Sequence, residues 1–329
     1  MGQQGEEPWE DVFKPGRFPV RILKIPQRTT HGSTTAAAPK PLLLALPAQP
    51  GEYPVLLFFH GYLLLNSFYT QLLQHIASHG YIAIAPQMYC VTGADATPEI
   101  ADAAAICNWL LQGLSSYLPD DVRPDFQNVA MAGHSRGGKV AFGLALDRTS
   151  QTTELKFSAL VGVDPVDGMA RGRQTQPRIL TYKPHSFDSV IPTLIVGSGL
   201  GAVKRNPLFP PCAPEGVSHR EFFSECSAPA YHFVASDYGH MDFLDDETGG
   251  VKGQSSYCLC KNGVAREPMR RFCGGIIVAF LNVCLQNDSG AFNDLLVHPS
   301  HAPVKLEPPE SFVSEVEHQA VESLLPQTV

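Results

Sequence analysis

Asn128-Val129-Ala130-Met131-Ala132-Gly133-His134-Ser135-Arg136-Gly137-Gly138-Lys139-Val140-Ala141-Phe142 is the stretch on which the reading of this chain turns. Asn128–Ala132 is a short apolar run of the kind that forms a buried strand, and Arg136–Asp147 has helical spacing. Between them stands Gly-x-Ser-x-Gly. Gly and Ser are common enough that the pentapeptide alone says little. Between a strand and a helix, however, it reads as a nucleophile elbow, a strained turn that presents the Ser135 hydroxyl at the rim of a sheet while Gly133 and Gly137 keep side chains out of the crowded bend.

Working outward, strands and helices alternate along the chain. Val55–Phe59, Tyr81–Ala85, Ala159–Val163, Thr193–Gly197 and Tyr231–Ala235 read as further buried strands. Helices are expected at Ser67–His79, stopped by Gly80, at Pro98–Tyr117 with Thr97 as its cap, and at Glu267–Cys284. This alternation predicts a mostly parallel central sheet with helices on both faces, and with the elbow it predicts the α/β-hydrolase fold. One catalytic domain over 41–285 is expected. Residues 1–40 read as an N-terminal extension and 286–329 as a C-terminal tail, both polar and Pro-rich. Gly199–Pro229 and Met241–Arg266 lack periodicity and read as long loops.

A serine hydroxyl needs a base to take its proton and a carboxylate to orient that base. In this fold the order is Ser, Asp, His. His240 follows the last core strand and is the expected base, with His219 as the alternative and His232 expected to pack inside its strand. The loop after Thr193–Gly197, where the acid usually sits, carries no carboxylate between Ser198 and Phe209. The preceding strand ends in Asp164-Pro165-Val166-Asp167, so Asp164 is the expected acid, with Asp167, Asp237 and Asp242 as alternatives. His134, one residue before the nucleophile, cannot fold back onto its hydroxyl. For the oxyanion hole, one N–H is expected from Arg136 and the other from Tyr62, after the strand-end pair His60-Gly61.

Composition narrows the function classes. The 329 residues carry 24 Lys and Arg against 32 Asp and Glu, a net charge of −8, and no basic cluster suited to a phosphate backbone. Nucleic acid is therefore not an expected partner. The longest apolar runs, Pro41–Pro47 and Gly274–Leu285, are shorter than the ~20 residues that cross a bilayer. Met1–Asp11 is acidic and matches no targeting pattern, which leaves the cytosol as the default location; Gly2 lacks the Ser or Thr that a myristoylation motif places where Glu6 stands. The eight cysteines are expected as free thiols, although five of them cluster in and around the two long loops, where a disulfide would have something to pin. Cys258-Leu-Cys260 lacks the spacing of a structural zinc site, and no metal is expected.

The runs LLFFHGYLLLNSFY, GHSRGGKVAF, VGVDPVDG, GSGLGAVKRNPLFPPCAPEGVSHREFF, DYGHMDFLDD and SSYCLCKNG resemble plant chlorophyllases, and the resemblance covers about residues 40–285. It implies an α/β-hydrolase without cofactor that cleaves the phytyl ester of chlorophyll to chlorophyllide and phytol through a covalent acyl-enzyme. The family's triad carries over onto Ser135, Asp164 and His240. It also implies chloroplast or membrane-associated location, with peripheral membrane contact. From the residues alone the reading stops at an esterase for apolar substrates, so a general lipase or esterase remains the alternative, and a non-catalytic lipid carrier stands further off. An apolar groove for the substrate's tail is expected from Leu63, Leu64, Leu65 and Phe68 on one side and Leu208 and Phe209 on the other; ordinary packing of the following helix would account for the first four as well. Burial of half a phytyl chain, at ~0.8 kcal/mol per methylene, would contribute ~8 kcal/mol before entropic costs.

Overall fold

The computed structural model describes residues 11–27 and 37–313. Nine strands form one sheet in the order β1-β2-β4-β3-β5-β6-β7-β8-β9. They are β1 (Val20–Ile25), β2 (Leu42–Pro47), β3 (Gly51–Phe59), β4 (Ile82–Pro86), β5 (Val122–His134), β6 (Ala159–Val163), β7 (Thr193–Ser198), β8 (Ala230–Ala235) and β9 (Glu310–Phe312). The pairs from β4 through β3, β5, β6 and β7 to β8 are parallel, and β1, β2 and β9 join antiparallel at the two sides. This is the mostly parallel α/β sheet expected from the alternating pattern.

Buried strands that alternate between two covered faces explain why these runs are apolar throughout. In β3, Leu56 and Phe58 enter the core on one face, and Val55, Leu57 and Phe59 enter the core on the other. The first face is covered by α1 (Thr70–Ser78) and α6 (Glu267–Gln286), the second by α2 (Thr97–Gly113), α3 (Arg136–Ala145) and α4 (His219–Glu225). The sequence of α6 is long and apolar enough to cross a membrane, but 72% of its apolar window is buried, with Phe272, Ile276, Ile277 and Phe280 in the core against α1 and the sheet.

Several expectations are corrected. The apolar run read as one helix from Ser67 is a 3-10 turn over Asn66–Tyr69 followed by α1. Thr97 lies inside α2 rather than capping it, and its N–H donates to Asp95. The two long loops hold α4 and α5 (Gly250–Cys258); both helices are short and lack a continuous apolar stripe, which hid them. Among the described residues, parts of 1–40 and 286–329 hold regular structure that packs on the core. Val12 and Phe13 join the core, β1 pairs along β2, α7 (Gly290–Val297) buries Phe292 and Leu295, and β9 pairs with β8. Without them β2 and β8 would be open edges. The acidic residues up to Glu10, and Gly2 with them, lie outside the described residues.

Candidate active site

β3 and β5 lie side by side while their successors run to opposite sides of the sheet, and a crevice opens at their carboxyl ends where the connections diverge. Ser135 stands directly after β5 with φ 56° and ψ −121°, outside the ordinary regions for a residue with a side chain. Its N–H donates to the Val163 carbonyl (2.9 Å), and its carbonyl accepts from Lys139 and Val166. The bend is so tight that a Cβ on Gly137 would lie 2.1 Å from the Phe59 carbonyl oxygen, and one on Gly133 equally close to that of Gly137. That contact is why both positions hold glycine.

His240, in the loop after β8, brings Nε2 to 2.8 Å from Ser135 Oγ and Nδ1 to 2.7 Å from Asp164 Oδ2. All three residues are buried. Asp164 Oδ2 also accepts a short hydrogen bond from the Ser198 hydroxyl at the end of β7, the strand where the acid usually follows. Burial raises the Asp164 carboxyl, but the hydrogen bond and charge of His240 and the Ser198 hydroxyl outweigh it and hold the group at about 2. The alternatives for the acid stand elsewhere. Asp167 pairs with Lys139 (2.9 Å) and accepts from the Ile179 and Leu180 N–H groups; Asp242 accepts from Gly239 and Gly263; Asp237 is exposed.

A second network, which the sequence reading missed, ties these parts together. The Gly61 N–H donates to the Tyr69 hydroxyl (3.0 Å), Tyr69 and His134 Nδ1 are 2.7 Å apart, and His134 Nε2 is 2.8 Å from the His240 carbonyl. A carbonyl can only accept, so His134 carries its proton on Nε2 and Tyr69 donates to Nδ1. Burial, with His240 alongside, pushes His134 down to about 3 and keeps it neutral. The chain runs from the loop after β3 through Tyr69 and His134, the neighbour of Ser135, to the backbone of His240. No pattern in the sequence marks Tyr69, because its ring reads as one more apolar contact.

The loop after β3 is fixed from its other side by His60. Met88 N–H donates to His60 Nε2 (3.0 Å), so Nδ1 carries the proton and donates to the Gly61 carbonyl (2.9 Å). Because the peptide is planar and trans, the Tyr62 N–H points away from that carbonyl and from His60. The Arg136 guanidinium turns into the protein, donating to the Gly93, Ala94 and Asp95 carbonyls and both oxygens of buried Glu99, with its face 5.3 Å from the Tyr62 ring.

Beside Ser135 lies a cavity of about 240 Å³ lined by Tyr62, Arg136, Val166, Met169, Pro211 and Pro214, among others. A larger cleft of about 410 Å³ between residues 13–20, α1 and α6 contains none of the residues that converge on Ser135. The expected groove is corrected in part. Leu64 and Phe68 are buried in the core, and Leu65 packs against it. Leu63 is half-buried in the turn with φ 55°. Leu64, Leu65 and Phe68 seat the start of α1 on the sheet. Leu208 and Phe209 are 87% and 44% exposed, ahead of the cavity-lining Pro211. The expectation of free thiols is also corrected: Cys212, on the cavity wall, is bonded to Cys260 (S–S 2.00 Å).

A family model, Chlorophyllase, matches residues 9–313. The chain is 51% identical to Chlorophyllase-2 of Arabidopsis thaliana over 285 residues, which are 84% of this chain and 90% of that protein. It is 44% identical to Chlorophyllase-1 of the same plant over 305 residues (91% and 94% coverage). Its identity to Chlorophyllase type 0 of Chenopodium album is 38% over 313 residues (93% and 88% coverage). With a mostly parallel sheet covered on both faces and a family match that spans nearly the whole chain, the protein is a carboxylic ester hydrolase and belongs to the chlorophyllase family.

Proposed function

We propose that this protein hydrolyses the phytyl ester of chlorophyll with Ser135 as nucleophile, His240 as general base and acid, and Asp164 as the carboxylate that orients it. The observation that carries the reading is the unbroken line from Ser135 Oγ through His240 to Asp164, with bonds of 2.8 and 2.7 Å. Ser135 Oγ attacks the ester carbonyl carbon while His240 Nε2 takes its proton. The carbonyl oxygen becomes an oxyanion next to the Arg136 and Tyr62 N–H groups. Collapse of the tetrahedral adduct breaks the bond to the phytyl oxygen, which leaves as phytol with the proton from His240. Water, deprotonated by the same imidazole, then releases chlorophyllide from the Ser135 ester. No metal or redox cofactor enters these steps.

The cavity walled by Tyr62, Val166, Met169 and Pro211 takes apolar substrate next to the reacting carbon. Exposed Leu208 and Phe209, beside Lys204 and Arg205, form the part of the surface suited to peripheral contact with a membrane that holds the pigment. Incubation with chlorophyll a followed by mass analysis tests the proposal: chlorophyllide and phytol are expected, and Ser135→Ala should form neither while still binding pigment. Near-wild-type turnover by Ser135→Ala would overturn the mechanism. A general esterase would instead prefer short p-nitrophenyl esters over chlorophyll.

A further inference from the structure

Behind Asp164, on the side away from His240, lies a line of buried polar groups that the mechanism above does not use. His219, the first residue of α4, has Nε2 3.9 Å from Asp164 Oδ1 and Nδ1 2.8 Å from His232 Nε2. His232, in β8, has Nδ1 2.8 Å from Glu310 Oε2 in β9. Both imidazoles are buried, and His219 lies so close over β7 that a Cβ on Gly197 would meet its ring at 2.3 Å.

Counting protons fixes the arrangement. Three gaps separate the two carboxylates, and two neutral imidazoles supply only two N–H groups. Glu310 accepts, so His232 donates from Nδ1 and must accept at Nε2. His219 therefore donates from Nδ1, and its Nε2 faces Asp164 bare. The distances agree: the two gaps holding protons are hydrogen bonds, and the third, at 3.9 Å, is not. Burial lowers both histidines, His219 to about 3, which keeps them neutral.

We propose that Glu310, acting through His232, locks His219 in the tautomer that gives no proton to Asp164, and so keeps His219 from competing with His240 for that carboxylate. The proposal rests on the triad reading above. With the acceptor at 310 removed, His232 is free to shift its proton to Nε2, and His219 then donates from Nε2 to Asp164. A further donor on the carboxylate, added to the Ser198 N–H and hydroxyl that it already accepts, weakens its hold on His240. Other charged groups face the chain as well. From α4 comes Arg220, which pairs with Glu307 (2.7 Å) of the segment leading into β9, and from the loop after β8 comes His240 itself. The ring of Phe223 covers His232 at 4.9 Å. His219, His232 and Glu310 are positioning residues; none touches Ser135.

The test uses the full-length protein with chlorophyll a, reading kcat and KM over about pH 5 to 9. For Glu310→Ala, kcat should fall about tenfold, the scale of one hydrogen bond to a charged group, with KM unchanged. The acidic limb of the profile should move to lower pH, because an imidazolium less well supported by Asp164 gives up its proton sooner. The downfield proton resonance of the His240–Asp164 bond should move upfield. Glu310→Gln keeps an acceptor oxygen for His232 and should restore kcat, limb and resonance. If Glu310→Ala leaves all three as in wild type, or if Glu310→Gln fails in the same degree as alanine, the tautomer lock is wrong. Asp164→Asn serves as the reference: an active Asp164→Asn enzyme would overturn the triad reading itself, whereas an inactive one with an unmoved Glu310→Ala profile overturns only the lock.

Discussion

Asp164 and Asp167 stand three residues apart at the end of one strand, and their surroundings give them different work. Asp164 receives the His240 N–H, whereas Asp167 neutralises Lys139, whose ammonium is also held by the carbonyl and hydroxyl of Thr175. Asp164→Asn is expected to lower kcat by about three to four orders of magnitude, because the amide favours the wrong tautomer of His240. Asp167→Asn strands a buried cation and should cost ~3–5 kcal/mol of stability while costing far less in kcat at temperatures where the variant stays folded. Paired kcat and urea-unfolding measurements distinguish the two, and a reversed pattern would mean that the acid has been assigned to the wrong residue. Tyr69→Phe removes one oxygen from the chain between Gly61 and His134. It leaves a buried N–H and an imidazole nitrogen unpaired, at ~1–3 kcal/mol for each. Since those groups hold the loop after β3 and the backbone of His240, kcat should fall more than KM rises. A Tyr69→Phe enzyme with wild-type stability and kcat would show that the network is incidental.

Among the elements, the loops carry the site and the strands only aim them. β3, β5, β6 and β8 end at one rim, and the short turns after them carry Tyr62, Ser135, Asp164 and His240, the residues of the proposed site. Two of those turns start with a positive φ, at Ser135 (56°) and Asp164 (44°), conformations that persist because the hydrogen bonds on both sides determine them. The cavity wall is less well supplied with regular structure, and the Cys212–Cys260 disulfide compensates by tying the segment before α4 to the end of α5 across 48 residues. On the chain-entropy account a closure of that length stabilises by ~4 kcal/mol. Cys212→Ser is expected to lower the thermal midpoint and to raise KM for chlorophyll while leaving the hydrolysis of p-nitrophenyl acetate nearly unchanged. A thermal midpoint identical to wild type, with and without reductant, would show that the cross-link is not what holds the wall.

On the scale of the whole molecule, burial of histidines links stability to pH. His60 and His75 are pushed down to about 4, and His134 and His219 to about 3, in each case chiefly by desolvation. In the unfolded chain the same groups titrate near ~6.5. Above that pH both states are neutral and nothing is contributed; below it the unfolded state binds protons that the folded state refuses, so stability falls as pH falls. The urea midpoint should therefore drop between pH 7 and pH 5, and a midpoint constant over that range would mean that these rings are not held neutral. The sequence alone determined much of this protein. The strand–elbow–helix at Asn128–Asp147, the alternation of buried strands with helices, and the placement of Ser135, Asp164 and His240 at strand ends were all legible, because backbone periodicity and a tight strand-to-helix turn each demand particular residue types at short spacing. Other features could be decided only by the tertiary structure. Leu64 and Phe68 read equally well as groove or core, since hydrophobicity names no partner. Tyr69, His134, His219 and Glu310 gain their meaning from atoms 8 to 106 positions away in the chain. Within the segments that read as tails, β1 and β9 formed because the open edges of β2 and β8 needed backbone partners, and a backbone hydrogen bond leaves no mark on side-chain pattern.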